Sequence, residues 1–200
     1  FQTFCEKNPK PCPLLEVVGQ GEVEAVELAP GSDLRRDCPG YKVFRGHHWQ
    51  LQDDVTGLWQ DDFVSFLIGC SFTFEQAMIK RNIPVRHVEL GCNVPMFVTN
   101  ISCQAAGPFH GRMVVSMRPI PAYLVEEAYG VTECYPSVHG APVHHGDPSE
   151  IGIRDVLVPD FGDPVPIYDD EIPVFWACGV TPQVALENLE PEIAITHAPG

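Results

Sequence analysis

Three histidines and an aspartate lie close together within residues 139–148: His139, His144, His145 and Asp147. Imidazole side chains titrate near neutral pH, so His139 and His144 could transfer protons, with Asp147 orienting one of the rings. The same groups could bind a divalent metal, although their spacing lacks the i, i+4 pattern of a helical zinc motif. In a third interpretation, the histidines form hydrogen bonds with loop carbonyls and have only a structural role.

A second acidic loop, residues 159–164, contains Asp160 and Asp163. Aspartate near proline commonly shapes a turn, but two carboxylates this close could also place a base or bind a cation. The Asp-Phe-Gly triplet in this loop also occurs in protein kinases, yet the sequence has no glycine-rich phosphate loop or His-Arg-Asp motif to accompany it. Asp163 therefore joins the candidates for proton transfer or for orienting an imidazole.

Two further segments, residues 66–77 and 174–185, each predict a strand that passes through a tight turn into a helix. Thr73 and Gln76 have capping-box spacing in the first segment, and Thr181 is the expected N-cap in the second. The start of a helix presents unpaired N–H groups and the positive end of its dipole, which favour bound carboxylates. Both turns are therefore candidate carboxylate-binding sites.

Side chains in these two turns could add to such a site. Ser71 and Thr181 are expected to contact a substrate. Cys70 and Cys178 precede the predicted helices, where a thiol pKa can fall far enough to make the group nucleophilic. The alternative is that both cysteines are small residues packed in the core. We therefore rank Cys178 as a candidate nucleophile below the histidines.

Cations are scarce in this chain, which has 12 Lys and Arg residues against 27 Asp and Glu residues. Arg118 lies before Pro119 at the end of a predicted strand, and a guanidinium group can bind a carboxylate through two hydrogen bonds. Arg118 is therefore the preferred substrate clamp, with an ordinary ion pair as the alternative. Asn93, in an Asn-Val-Pro-Met segment, is a further candidate for substrate binding.

The formal net charge of −15 argues against several classes of partner. A strongly acidic chain repels polyanions, so nucleic acids and anionic membrane surfaces are not expected partners. No run of about 18 apolar residues is present, so no membrane span is predicted. The eight cysteines are dispersed without a Cys-x-x-Cys motif, which favours reduced thiols in an intracellular compartment.

The elements that must position these residues are short. Seventeen glycines and 20 prolines separate brief apolar runs, which predicts several short strands and few helices. One helix is expected over residues 6–8, running into the proline-rich break at residues 9–13, and another over residues 120–129. Residues 33–62 are expected to form a surface hairpin and loop. The predicted strands cover residues 22–28, 41–44, 63–68, 85–90, 113–117, 156–158 and 174–177.

We expect these elements to form one α/β domain with a mixed sheet over residues 1–200. A chain of this length can bury one substantial core, and no low-complexity linker divides it. The sequence begins abruptly at Phe1 and ends at Gly200 without polar tails. We therefore expect the domain to be truncated at both ends.

Eight segments, in order along the chain, carry a resemblance to a known family: residues 8–16, 69–72, 93–96, 116–119, 139–144, 146–148, 159–163 and 175–183. They resemble the hydro-lyase family that includes D-glutamate cyclase, and the resemblance spans essentially all 200 residues. It implies an α/β layered domain with a smaller interleaved α+β lobe.

The resemblance also implies an activity, the cyclisation of D-glutamate to 5-oxo-D-proline with loss of water, in D-amino acid metabolism. The implied partner is a small dicarboxylic amino-acid substrate. The sequence requires no cofactor, while a divalent metal and a homo-oligomer both stay open. The implied location is the mitochondrial matrix for a eukaryotic chain and the cytoplasm for a bacterial one.

The candidate residues can be assigned roles in this reaction. Arg118 and one strand-to-helix turn would hold the two carboxylates, and His139 or His144 would transfer protons. Asp147 or Asp163 would orient an imidazole or a cation. One rival function is a metal-assisted dehydratase of a small hydroxy acid, with His139, His144 and Asp147 as ligands. Another is a non-catalytic module that binds a small anion.

Overall fold

The computed structural model describes residues 1–46 and 48–198. None of the described helices has the length and apolar character needed to cross a bilayer. The helices are α1 (Gln2–Lys7), α2 (Phe72–Lys80), α3 (Arg86–Leu90), α4 (Val125–Glu133) and α5 (Val180–Glu187). The strands are β1 (Leu14–Val18), β2 (Tyr41–Arg45), β3 (His48–Gln52), β4 (Ser65–Ile68), β5 (Met96–Ser102), β6 (Arg112–Pro121), β7 (His144–His145), β8 (Glu171–Ala177) and β9 (Ala194–His197). Single turns of 3-10 helix cover Thr56–Leu58, Ala122–Leu124, Pro136–Val138 and Pro148–Ile151.

The strands form three sheets, and every described strand pair is antiparallel. The largest sheet has the order β5-β6-β8-β7, the second has the order β3-β2-β9, and β1 pairs with β4. The expected α/β class is confirmed, but separate antiparallel sheets take the place of one mixed sheet. Connections such as the one between β5 and β6 are too short for a parallel crossover.

The β3-β2-β9 sheet is the smaller part of the fold. It has its own apolar cluster around Tyr41, Val43 and Val55. Its strands come from both the first third of the chain and the C-terminal end, because β2 pairs with β9 as well as with β3. This part is therefore interleaved along the sequence with the largest sheet, as expected.

Strand β6 and its partner β8 divide the core of the largest sheet into two faces. Neighbouring residues of a strand point to opposite faces, so Met117 packs with Phe175 on one face. On the other face, Trp176 packs with residues of α2 and α4. Ser116 and Arg118 are fully buried polar residues of β6, and the Arg118 guanidinium lies 5.3 Å from the Trp176 ring centroid.

Both predicted strand-to-helix connections are confirmed, since β4 leads into α2 and β8 leads into α5. Their caps differ from the prediction: Ser71 and Gly179 take the N-cap positions, and no side chain caps either helix. The Thr73–Gln76 capping box therefore does not form. Thr181 lies inside the first turn of α5, where its hydroxyl accepts a hydrogen bond from the Val114 N–H at 2.9 Å. This hydroxyl holds α5 against β6.

Three of the predicted strands are wrong. Residues 85–90 lie mostly in α3, which ends at Gly91 with a φ of +64°. Residues 22–28 form turns and irregular backbone, because the Glu16 carboxylate accepts two of the backbone N–H groups that a strand would use. Residues 156–158 also lie in a turn.

The remaining predicted elements are shifted or confirmed. Ile120 and Pro121 complete β6, so the helix predicted over residues 120–129 begins only at Val125. The helix expected at residues 6–8 begins earlier, at Gln2, and ends at Lys7, before the proline-rich segment. The hairpin predicted within residues 33–62 is formed by β2 and β3.

The acidic loop around Asp160 and Asp163 is bound to the start of β5. The Asp160 carboxylate accepts a hydrogen bond from a backbone N–H of β5 at 2.7 Å. The Asp163 carboxylate accepts one from the Asn93 N–H at 2.9 Å. Gly162 lies in this loop with a φ of +75°, and a β-carbon there would overlap the Val94 carbonyl oxygen. This close docking of two backbones requires glycine.

We predict that Gly162→Ala destabilises the fold more than Gly107→Ala. Both glycines have left-handed backbone, which costs an alanine about 1 kcal/mol, but a β-carbon on Gly107 meets nothing within 4 Å. Overlap with Val94 should raise the loss in free energy of unfolding for Gly162→Ala to about 2 kcal/mol or more. Urea unfolding of both variants measures the difference, and equal losses would contradict the docking described above.

Candidate functional site

The two strand-to-helix turns lie next to each other. A β-carbon built on Gly179, between β8 and α5, would lie 3.7 Å from the carbonyl oxygen of Gly69, between β4 and α2. It would also lie 4.0 Å from Nε2 of His139. A β-carbon built on Gly69 would overlap the Ser137 carbonyl oxygen. Three chain segments therefore meet at one place, which we call the turn junction: residues 69–71, 137–139 and 178–179.

Backbone hydrogen bonds tie the turn junction to the rest of the fold. The Gly69 N–H donates to the Pro13 carbonyl at 2.9 Å, and the Cys178 N–H donates to the Val114 carbonyl at 3.0 Å. Glycine at position 69 follows from the close approach of the Ser137 backbone, since any side chain would force the two segments apart.

His139 is the buried imidazole of the turn junction. It is 1% exposed and has left-handed backbone, with a φ of +82°. Its Nδ1 lies 2.9 Å from the Lys10 carbonyl oxygen, which can only accept, so Nδ1 carries the proton. Nε2 is then an acceptor, and it makes no hydrogen bond of normal geometry among the residues that the structure describes. The Gly69 carbonyl lies on this side of the ring, and with the proton on Nδ1 it cannot be a partner of Nε2. Strained backbone and unpaired buried polar atoms both cost free energy, and they concentrate at functional sites.

The environment of His139 keeps its imidazole neutral at pH 7. Burial lowers its pKa to about 4. The carbonyl groups of Lys10 and Gly69 oppose this shift, while the positive charges of Arg118 and Lys10 add to it. A neutral imidazole with a free lone pair is suited to accept a proton from a bound molecule.

Arg118 and Glu75 form a buried ion pair beside the turn junction. Arg118 is fully buried and Glu75 is 5% exposed. Both Nε and Nη2 of Arg118 donate to Glu75 Oε1, with the Nε contact at 2.9 Å. Nη1 donates to the Ser116 hydroxyl at 3.0 Å, and Nη2 also donates to the Ser71 hydroxyl at 3.2 Å. The guanidinium is thus fixed by internal partners.

These contacts match the ion-pair alternative for Arg118. The guanidinium reaches the turn junction through Ser71 and presents no exposed fork. Direct contact between Arg118 and a substrate stays a prediction. His87 completes the cluster, with its Nε2 3.2 Å from Glu75 Oε1. Burial opposes the charged carboxylate, but His87 and Arg118 outweigh it and lower the pKa of Glu75.

His144 and Asp147 lie away from the turn junction. His144 is on β7, and its ring stacks on Phe175 with centroids 5.8 Å apart. Phe175 packs on the sheet face opposite to Arg118. His144 Nε2 donates to the Asp147 carbonyl at 2.8 Å, and the Asp147 side chain caps a 3-10 turn through the Ser149 N–H at 2.9 Å. Hydrogen bonds from Ser149 lower the pKa of Asp147.

Asp163 and Asn93 lie next to each other, and the contacts between them hold the backbone in place. Asn93 contributes its backbone N–H to the Asp163 carboxylate, and its own carbonyl accepts from the Asp163 N–H at 3.3 Å. Both belong to the docked acidic loop and the start of β5. Roles in substrate binding or proton transfer stay predictions for these two residues.

The other predicted site residues lie in or next to the turn junction. Ser71 and Thr181 use their hydroxyls to bind Arg118 and Val114. Cys178 is buried, with its sulfur 3.5 Å from the Met96 sulfur, and burial raises its pKa to about 11. Partial burial also raises the pKa of the Cys70 thiol. Both shifts oppose the thiolate that a nucleophilic role would need.

The metal ligand set considered from the sequence is not assembled. Across residues 1–46 and 48–198, no three His, Cys, Asp or Glu side chains are placed to hold one ion. His139 and His144 each direct one ring nitrogen to a carbonyl, and Asp147 accepts from Ser149. The antiparallel pairing of β7 with β8 places His144 against Phe175, which separates it from His139.

Two residues of this region were missed by sequence reasoning. Glu75 neutralises Arg118. It lies four residues after Ser71, and this spacing places the two side chains on the same side of the predicted helix. Lys10 contacts the His139 segment, although it lies 129 residues away. The two flanking prolines, Pro9 and Pro11, indicate that Lys10 lies in a rigid segment. Nothing in the sequence indicates that its partner is the His139 loop.

We predict that Glu75→Gln costs about 3–5 kcal/mol of stability, because it leaves the Arg118 charge buried without a counter-ion. Glu89→Gln is the matched control, since Glu89 also pairs with an arginine but its side chain is 53% exposed. The control should lose less than about 1 kcal/mol. Thermal and urea unfolding at pH 7 compare the two, and a loss for Glu75→Gln as small as the control's would contradict the buried pair.

Comparison with known proteins places the chain in a family. Residues 64–200 match a family described as D-glutamate cyclase. Over its whole length the chain is 56% identical to a "Putative hydro-lyase" of Natranaerobius thermophilus and 57% identical to one of Geobacillus kaustophilus, covering 77% and 76% of those proteins. It is 55% identical to "Putative hydro-lyase YcsI" of Bacillus subtilis, covering 78% of that protein.

These three relatives are bacterial, so they give no support to a mitochondrial location. The matched region covers the entire chain in each of these relatives. The resemblance read from the sequence motifs is confirmed. The chain belongs to the D-glutamate cyclase family of hydro-lyases.

Proposed function

We propose that this protein cyclises D-glutamate to 5-oxo-D-proline with release of water. Family membership supports lyase chemistry of the hydro-lyase type, and the name of the matched family suggests the substrate. The observation that carries the proposal is His139, a buried neutral imidazole whose unpaired Nε2 lies beside the start of α5.

The proton movements of this reaction suit one imidazole. A bond forms between the amino nitrogen and the carbon of the γ-carboxylate (Cδ) of glutamate, and one C–O bond of that carboxylate breaks. Two protons leave the substrate ammonium group, and both depart on the oxygen that becomes water. No proton is gained or lost overall. A base that takes a proton from nitrogen and returns it to the leaving oxygen is therefore sufficient.

The starts of α2 and α5 are the proposed positions of the two substrate carboxylates. The dipole is positive at the start of a helix, and its first N–H groups have no partners one full turn earlier. Those of Thr73 and Thr181 donate to the carbonyls of Cys70 and Cys178, so the N–H groups proposed to meet the carboxylates are the earlier ones, of Ser71 and Gly179. Arg118 donates to the Ser71 hydroxyl at the start of α2 and so fixes this turn, while its charge is balanced by Glu75. Two adjacent helix starts match a substrate with two carboxylates, which supports a dicarboxylic amino acid.

A carboxylate bound beside His139 would change the proton affinity of the ring. A negative charge within about 4–6 Å favours protonated imidazole, so the pKa of His139 should rise when substrate binds. The ring can then hold the proton taken from the ammonium group until oxygen leaves. Holding glutamate in a folded conformation could supply several kcal/mol more through orientation alone.

The assay with both glutamate enantiomers separates the proposed functions. Purified protein is expected to form 5-oxoproline from D-glutamate with multiple turnovers, and to do so at least about tenfold faster than from L-glutamate. Chiral chromatography of the product measures both rates. Binding of glutamate, seen as a rise in melting temperature, without any product would instead support the small-anion module. Neither binding nor turnover would overturn the substrate assignment.

We predict that His139→Asn lowers kcat by about 100-fold to 10,000-fold, the range for loss of a general base. Asparagine tolerates left-handed backbone, and its amide can still donate to the Lys10 carbonyl, but it has no group at the Nε2 position. His145→Asn is the matched control, because His145 is exposed and binds Tyr129. His144→Gln tests the other candidate base, and a larger loss there than at His139 would move the proposed role to His144.

The same variant has a readout that does not depend on turnover. Unfolded histidine takes up a proton near pH 6.5, whereas folded His139 does so only near pH 4. The stability that wild type has above pH 6.5 should therefore fall as the pH drops towards 4, by about 3 kcal/mol in total from this residue. His139→Asn should lose that part of the pH dependence in urea unfolding, and an unchanged slope would contradict a neutral buried ring.

A further inference from the structure

Lys10 contacts the His139 segment in both directions. Its Nζ donates to the His139 carbonyl at 3.0 Å and to the Ala141 carbonyl at 2.6 Å. Its own carbonyl oxygen lies 2.9 Å from Nδ1 of His139 and accepts that proton. One residue therefore binds the backbone on both sides of Gly140 and also the ring of the candidate base.

These contacts act on the strained part of the loop. His139 and Gly140 are two successive residues with positive φ, at +82° and +64°. Left-handed backbone in a residue with a side chain costs about 1 kcal/mol or more and persists only where surrounding contacts fix it. The Lys10 ammonium group binds the carbonyls that flank this conformation, so it helps hold the loop in the shape that brings Nε2 to the turn junction.

The segment that carries Lys10 is itself rigid. Pro9 and Pro11 fix their own backbone torsions on either side of the lysine. Asn8 is buried and donates to the carbonyls of Phe4 and Gln104 at 2.8 and 2.9 Å. Lys10 is therefore a firm support for the loop opposite, and a rigid supporting shell is what a precisely placed base needs.

We propose that Lys10 is a positioning residue for His139: its carbonyl selects the tautomer with a free Nε2, and its ammonium group holds the loop. The carbonyl can only accept, so it requires a proton on Nδ1 and leaves the lone pair on the nitrogen that faces Gly179. Lys10 acts through His139 and touches no reacting atom. Its effect on turnover rests on the proposed function, whereas its effect on the tautomer does not.

The charge of Lys10 gives the proposal a distinctive signature. The charged groups that act on His139 are Lys10 and Arg118. Glu75 pairs with Arg118, and Glu133 acts on Lys10. The positive charges of Lys10 and Arg118 disfavour imidazolium. Removing the Lys10 charge should therefore raise the pH at which His139 becomes protonated. A purely structural tie between the two segments would change stability without moving that titration.

The first test is the tautomer of wild-type protein. Long-range proton–nitrogen NMR at pH 7 distinguishes a ring protonated at Nδ1 from one protonated at Nε2, with His139→Asn identifying the signal. We expect Nδ1 to carry the proton. A ring protonated at Nε2 would overturn the proposal, whether or not the protein turns over D-glutamate.

The second test compares Lys10→Met with Lys10→Arg. For Lys10→Met we expect kcat to fall about 10- to 100-fold with KM changed by less than about threefold, and the acid limb of the kcat/KM profile to move to higher pH. Arginine keeps the charge and the donors, so Lys10→Arg should recover at least part of kcat and restore the position of the limb. Lys7→Met is the control, because Lys7 also donates to a carbonyl, that of Ala105, but at an exposed site.

The outcomes separate the possibilities. A folded Lys10→Met variant with wild-type kcat and an unmoved His139 titration would overturn the positioning role. If Lys10→Met fails to fold, the tautomer of wild type still decides the question: a proton on Nδ1 supports the proposal, and a proton on Nε2 overturns it. If no protein in the series converts D-glutamate, the proposed function fails, while the NMR titration of His139 continues to test Lys10.

Discussion

A charged guanidinium without exposure to water lies at the centre of this fold, and the turn junction depends on it. Arg118 is bound on one side by Glu75 and on the others by Ser71 and Ser116, with the rings of Phe74 and Trp176 within 5.4 and 5.3 Å. Breaking such a pair by removing one partner strands a buried charge. The pair therefore fixes β6 relative to α2 and to the turn that precedes α2.

The general organisation of the molecule could be predicted from sequence because it depends on local patterns. The two strand-to-helix connections follow from apolar runs that end in Gly-Cys-Ser and Cys-Gly-Val and lead into helical periodicity. The family could be read from the order of its motifs. The exact caps could not, because Thr181 has a tertiary partner, Val114, that competes with its capping role. Residues 85–90 were misread because apolar spacing in six residues fits either element.

The candidate site could be predicted only in part, since its formation depends on strand register and on distant partners. His139 and His144 are five residues apart in a single loop, yet the pairing of β7 with β8 stacks His144 on Phe175, away from the turn junction. The sequence left Arg118 as either a substrate clamp or half of an ion pair, because its counter-ion, Glu75, lies 43 residues away. Lys10 reaches His139 across 129 residues of sequence, a distance over which composition and spacing carry no information.

The close approach of Gly69 to the Ser137 carbonyl, and of Gly179 to both Gly69 and His139, has a consequence for how the family can diversify. The floor of the turn junction consists largely of peptide groups, which substitution cannot alter while the fold persists. If substrate binds there as proposed, new substrate preferences would have to arise from nearby side chains, such as the exposed Cys70 and Phe72. Under the proposed function, peptide groups would bind the carboxylate, and the surrounding side chains would determine which molecule carries it.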